Sequence, residues 1–228
     1  LSLGPGAREH LTLGTLNALE NAQKVVLRTE KCDAASYIRE KGISFETLDH
    51  LHEECEDFDE LCQAVTTALL AAAEECDVCY AVFDASHDET VAHLAHHASL
   101  SILPGVPLSA PFLAAAPKEK IEIQTASALE ITGTQNPLLI LECNDRMLMS
   151  SCKLHLLQWL DMDQPLLFFP PSDDAVRSFR EITLSELDRQ PSYNHTCAVL
   201  IPSTALIFRK RFDFYDLVRV MAILRGED

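Results

Sequence analysis

The sequence predicts an α/β fold in two lobes, each a mostly parallel or mixed sheet covered by helices, with a cleft between the lobes. Three observations lead there. Short apolar runs alternate with stretches of helical period along nearly the whole chain, the element order that builds a mostly parallel sheet. Two apolar runs end in glycine and proline, LGPG at residues 3–6 and ILPGV at 102–106, where backbone can turn tightly and come close to a ligand. Proline-bearing sequence from Pro104-Gly105 through Pro117 separates the two halves, and no internal repeat is evident. The expected division is a lobe over 1–104, a lobe over 105–204, and a tail over 205–228.

The strands are predicted in order at Lys24–Arg28, Asp77–Val82, Leu100–Leu103, Ile121–Gln124, Leu138–Glu142, Pro165–Phe169 and Cys197–Ile201, each a short run rich in β-branched or aliphatic residues. Residues 11–22 read as a helix after the LGPG turn. Asp57 opens another, with Glu60 three residues on as its capping partner, and Phe58, Leu61, Val65, Leu69 and Ala72 recur on one face. A third starts near Asp145, with Leu148, Cys152, Leu156 and Trp159 forming its apolar stripe.

At 228 residues and 47% hydrophobic, the chain has enough apolar mass for a substantial core. It has no run of 18 apolar residues and no basic segment before an apolar one, so neither a membrane span nor a signal peptide is expected. The formal charge of -17 repels a phosphate backbone, offset locally only at Arg209–Arg211, which argues against nucleic acid as a partner. Eight scattered cysteines without a secretory signal read as reduced thiols in a cytoplasmic protein. The CxxC of Cys76 and Cys79 falls on a predicted strand, where alternate positions favour packing over redox chemistry.

Two polar clusters invite a metal reading. Six acids within Glu53–Glu60 straddle a helix start, where the dipole favours acids and water solvates them. His93 and His97 stand one helical turn apart with Glu89 on the same side, the ligand spacing for zinc, yet no HExxH accompanies them. Neither is taken as a metal site, and surface placement is the expectation for both.

The order LSLGPGAREHLTLGTLNAL, VVLRTEK, ILPGV and NPLLILECNDRMLMSSCKLHLL resembles the tetrapyrrole methylases, the class III S-adenosylmethionine-dependent methyltransferases of corrin and porphyrin chemistry. The likeness is strongest to the YabN-like branch fused to MazG. LGPG followed by Leu11-Thr12, and RTEK at Arg28–Lys31, carry it, and it covers nearly all of residues 1–204. RFDFYDLVRVMAILRGED at 211–228, with Phe214, Leu217, Met221 and Leu224 on one side, looks like the opening helix of a MazG nucleoside triphosphate pyrophosphohydrolase domain. Together with a start at Leu1 rather than Met, this is read as the N-terminal part of a larger fusion.

The resemblance implies two lobes, a homodimer and S-adenosylmethionine in the cleft. Carried over by position, the cofactor contacts are Gly4, Pro5 and Gly6, then Phe83, Asp84, Ala85 and Ser86, then Gly105, Pro107 and Ser109, then Thr125 with Ala126, and Leu141. It assigns no catalytic residue and no metal, because methyl transfer to a bound nucleophile needs mainly alignment. The chain departs from the family at two places. A glycine- and proline-rich cofactor loop is replaced by Phe83, Asp84, Ala85 and Ser86, which puts Cβ atoms where the family keeps backbone clear. Pro107 stands where serine is usual. The alternative implied is a catalytically degenerate methylase-like module that dimerises or regulates a downstream MazG domain, with the pocket beside Phe83 occluded or repurposed.

Overall fold

The computed structural model describes residues 1–116, 120–130 and 136–202, with His52 and Glu53 described in backbone alone. The amphipathic tail expected over 211–228 and the basic cluster at Arg209–Arg211 lie outside the described residues. The described chain divides into two compact units. The first takes residues up to 116 together with Pro171–Ser178, and the second takes those from 120 to 170 and from Phe179 onward.

In the first unit, strands β1 (Lys24–Leu27), β2 (Glu46–Thr47) and β3 (Val78–Ala81) form a parallel sheet in the order β2-β1-β3. Alternation of side chains across the sheet sorts them into two cores. Val25, Leu27 and Ala81 face Leu19 of helix α1 (Leu13–Asn21) and Ala34, Ala35 and Ile38 of α2 (Asp33–Glu40). Val26, Tyr80 and Val82 face the opposite way, onto Leu61, Val65 and Leu69 of α4 (Phe58–Ala73) and Val91 and Leu94 of α5 (Glu89–Ala95). The short α3 (Asp49–Glu54) links β2 to α4.

Helix starts follow the side chains available. Thr12, Asp57, Asp88 and Asp145 each accept a backbone N–H three residues on, capping α1, α4, α5 and α7 (Arg146–Leu156). At Asp57 the reciprocal bond of a capping box is shifted by one residue, since Glu60 accepts from the Glu56 N–H at 2.8 Å. Phe58 is 42% exposed rather than packed, because it is the first residue of α4 and the buried face begins a turn later, at Leu61.

The run Leu100–Leu103 is not a strand. Pro104 and Pro107 remove N–H donors beyond it, and the Leu103 carbonyl accepts from the N–H of Ser2, next to the sheet, at 3.0 Å. The other expected strands form with ends moved by a residue or so. Cys76 precedes β3 instead of lying on it, and all eight cysteines are free thiols.

The second unit holds a mixed sheet in the order β4-β5-β8-β6-β7. Its strands are β4 (Glu122–Thr125), β5 (Leu138–Leu141), β6 (Pro165–Phe169), β7 (Arg180–Thr183) and β8 (Ala198–Ile201). Only β4 and β5 pair in parallel; β8 runs antiparallel to β5 and β6, and β7 antiparallel to β6. Helix α6 (Ala110–Ala115) belongs to the first unit, and α7 covers this sheet. The buried line of α7 is Met149, Cys152 and Leu156, continued by Leu160, so the predicted Leu148 and Trp159 flank it rather than centre it. Among the described residues no helix is long and apolar enough to cross a membrane.

The two sides of α7 give a direct test. Leu156 is fully buried and Leu154 is 66% exposed. Leu156→Ala is expected to cost about 2–5 kcal/mol, and Leu154→Ala no more than about 0.5 kcal/mol. Urea midpoints measure both, and equal losses would contradict the placement of the helix.

Candidate functional site

Ser2 joins three stretches of chain. It bridges in parallel to Val82, extending the sheet beyond β3. Leu3 and Gly4 then donate to the carbonyls of Val82 and Phe83 at 2.8 and 2.9 Å. The Ser2 hydroxyl accepts the Ala85 N–H at 2.9 Å, and the Ser2 carbonyl accepts from the Thr15 hydroxyl at 3.1 Å. On its other side lies Gly105, where an added Cβ would sit 2.8 Å from the Ser2 Cβ and 2.9 Å from its carbonyl oxygen. The segments around Gly4–Gly6, Phe83–Ser86 and Gly105–Ser109 therefore meet at one residue.

The turn itself needs its glycines. Gly4 and Gly6 have φ of 81° and 107°, a region costly for residues with a Cβ. A Cβ on Gly4 would also press His10 at 3.0 Å. The Gly6 carbonyl accepts the Ala34 N–H at 2.8 Å in the first turn of α2. Arg8 clamps Asp33 in the same turn, through contacts at 2.7–3.2 Å, and reaches Glu40 at 3.0 Å. The hydrogen bond from Arg8 holds the Asp33 carboxyl below its ordinary pKa.

The loop 83–88 is satisfied from within. The Ser86 N–H donates to the Asp84 carboxylate and the His87 N–H to the Asp84 carbonyl, both at 3.1 Å, and the His87 ring meets the same carboxylate at 3.1 Å. With Ala85 bonded to Ser2, the amides of Ala85, Ser86 and His87 are all taken. Phe83 packs with the Leu3, Leu19 and Leu27 core, and its ring edge comes within 3.9 Å of a Cβ built on Gly6. The loop ends on a pair that sequence reasoning missed: Arg28, at the end of β1, binds Asp88 at 2.6 Å, and Asp88 also accepts from the Thr90 hydroxyl. Thr90 shares a hydrogen bond of 3.2 Å with the Tyr80 hydroxyl, and burial pushes that phenol well above its usual range. The polar residues after each strand were the available signal, but nothing in the sequence couples positions 60 apart.

Pro107 precedes the turn that leads to Ser109, the residue before α6. Thr125, Ala126 and Leu141 lie in the second unit. Thr125 pairs with Leu141 in the β4–β5 register, and the Ala126 N–H donates to the Leu141 carbonyl at 2.9 Å. These three are together there.

As a place for a backbone-held ligand, the glycine turn and the Gly105 segment fit. The 83–86 loop does not, because its amides are already bonded and it carries a phenyl ring. Elsewhere, His93 binds the Thr66 hydroxyl at 2.9 Å, with its ring 5.1 Å from that of His97. Among the described residues, no group of three or more histidine, cysteine or acidic side chains converges to hold a metal.

Gly105→Ala is expected to destabilise the protein by about 1–3 kcal/mol through the clash with Ser2. Gly14→Ala, in α1 with no contact closer than 3.7 Å, is expected to be neutral or stabilising by up to about 1 kcal/mol. Thermal melts of both variants compare the two, and a neutral Gly105→Ala would refute the close approach.

No family model matches the chain. It is 25% identical over 236 residues to the uncharacterized protein YabN of Bacillus subtilis (strain 168), a match spanning 96% of this chain and 48% of that protein. The chain thus spans about half the length of that curated relative. Among solved structures it is similar to the uroporphyrin-III-C-methyltransferase of Thermus thermophilus, with a TM-score of 0.61, 19% identity, and 90% and 93% of the two chains covered. It is equally similar to the cobalt precorrin-4 methyltransferase CbiF, with a TM-score of 0.61, 16% identity, and 90% and 94% covered. A Thermus thermophilus uroporphyrin-III C-methyltransferase complexed with S-adenosylhomocysteine gives 0.61 at 17% identity, with 90% and 96% covered. The chain shares the α/β fold of these tetrapyrrole methyltransferases.

Proposed function

We propose that the chain binds S-adenosylmethionine and belongs to a protein that transfers its methyl group to a tetrapyrrole-like substrate. The observation that carries this is the junction at Ser2, which brings Gly4–Gly6 and Gly105–Ser109 together in a fold shared with methyltransferases, one of them solved with S-adenosylhomocysteine. Glycines at positive φ and a glycine packed against backbone let these segments approach one another closely, the arrangement that a ligand held by main chain requires. Bound there, the cofactor supplies an activated methyl group, and the protein's part is to hold and align it. Gly4, Pro5, Gly6, Gly105, Pro107 and Ser109 are the contacts assigned in the first unit. A homodimer and a following MazG domain complete this proposal.

A second reading has a specific observation in its favour. Ala85, Ser86 and His87 spend their amides within the protein, and Phe83 stands beside Gly6. A module so altered has lost methyl transfer and serves to dimerise or regulate a MazG domain. Calorimetric titration with S-adenosylhomocysteine tests the first reading. Saturable binding with Kd of about 1 mM or tighter is expected, and no heat at millimolar ligand would retire it. Methyl transfer to any precorrin or porphyrinogen would retire the second.

A further inference from the structure

Pro171–Ser178 packs with the first unit, although the strands on either side of it, β6 and β7, belong to the second. Its hold is narrow. Arg177 is 5% exposed and lies over the Phe112 ring, its guanidinium carbon 5.3 Å from the centroid. The same guanidinium donates to the Ser172 carbonyl, so the segment closes on itself around one buried cation. Around Arg177, Val176 is 84% exposed, and Asp174 and Ser178 are exposed as well. His10, beside the glycine turn, meets the Ala175 backbone and lies close to Arg177.

The loop so anchored sets Asp173 against the turn. Its Oδ1 lies 3.7 Å from the position of a Cβ on Gly6, and the Cys32 Cβ lies 3.7 Å from the same point. Partial burial raises the Asp173 carboxyl from its ordinary pKa, with Arg177 opposing and Asp33 adding to the shift. Cys32 is itself buried, and Asp173 is among the charges acting on it. A short loop whose one buried side chain is Arg177 is the kind of segment that opens locally without the rest of its unit.

We propose that Pro171–Ser178 is a latch: Arg177, seated on Phe112, pins it shut and holds Asp173 over Gly6, so that the glycine turn becomes accessible when the latch lifts. The identity of the ligand so gated rests on the reading above; the latch does not. It differs from a fixed loop in that removing one side chain opens it without unfolding the unit.

Cys32 reports the opening without any ligand. Alkylation by iodoacetamide, followed by peptide mapping, compares the whole chain with Arg177→Ala. Cys32 is expected to react about tenfold faster in the variant, while Cys143 and Cys197, fully buried in the second unit, stay unreactive in both. An unchanged Cys32 rate, or a rise shared by all three thiols, overturns the latch. Should Arg177→Ala fail to fold, Arg177→Lys keeps the charge while losing the planar stack, and it is held to the same two outcomes with a smaller rise. Titrating S-adenosylhomocysteine into both proteins separates the two ideas. Several-fold tighter binding to the variant supports gating of that ligand, and equal or weaker binding overturns it. Binding to neither protein, with Cys32 unmasked, removes the cofactor reading and leaves the latch standing.

Discussion

The backbone of Ser2 runs so close to Gly105 that no side chain fits between them, and the candidate site depends on that contact. With that side closed, the Ser2 N–H reaches the Leu103 carbonyl, its hydroxyl holds the Ala85 amide, and its carbonyl receives the Thr15 hydroxyl. Every hydrogen-bonding group of the residue is thus used where water is scarce, which makes an alternative placement costly. The turn Gly4–Gly6 starts two residues later, and its direction is set before its own glycines act. α2 then fixes the far end through the Gly6 carbonyl and the Arg8–Asp33 clamp.

Around this junction the protein divides its polar work. At the glycine turn, conformation frees backbone from side-chain bulk. In the 83–88 loop the reverse holds, because Asp84 and Asp88 draw the local donors inward, and Arg28 ties the end of the loop to β1. A loop of this kind has its amides satisfied without a ligand. The same unit therefore combines a turn suited to contact with small molecules and a loop that is already complete, and these two facts pull toward the two functional readings.

Much of the fold was legible in the sequence because it rests on local rules. β6 forms over Pro165–Phe169 as its apolar run predicts, and the caps at Asp57 and Asp145 start their helices where expected. Leu100–Leu103 is not a strand although it is apolar, because apolar content alone does not specify pairing: Ile102 is 48% exposed, and Pro104 and Pro107 interrupt any ladder beyond the run. β7 escaped notice for the opposite reason: REIT is an edge strand in which Arg180 and Glu181 are exposed and Ile182 alone is buried. In the site, Gly4, Gly6 and Gly105 stood out because glycine marks special backbone. Ser2 did not, since a lone serine carries no signal of its four contacts. The Arg28–Asp88 pair and the return of Pro171–Ser178 to the first unit are products of tertiary structure, joining residues too far apart for any local pattern to connect.

The most direct measurement of the central claim is a crystal structure of the chain grown with S-adenosylhomocysteine. The account predicts ligand density against the backbone of Gly4–Gly6 and Gly105–Ser109, with the Ser2 contacts to Leu103 and Ala85 intact and Asp173 moved off Gly6. Ligand bound away from both glycine segments, or Ser2 separated from Gly105, would contradict it.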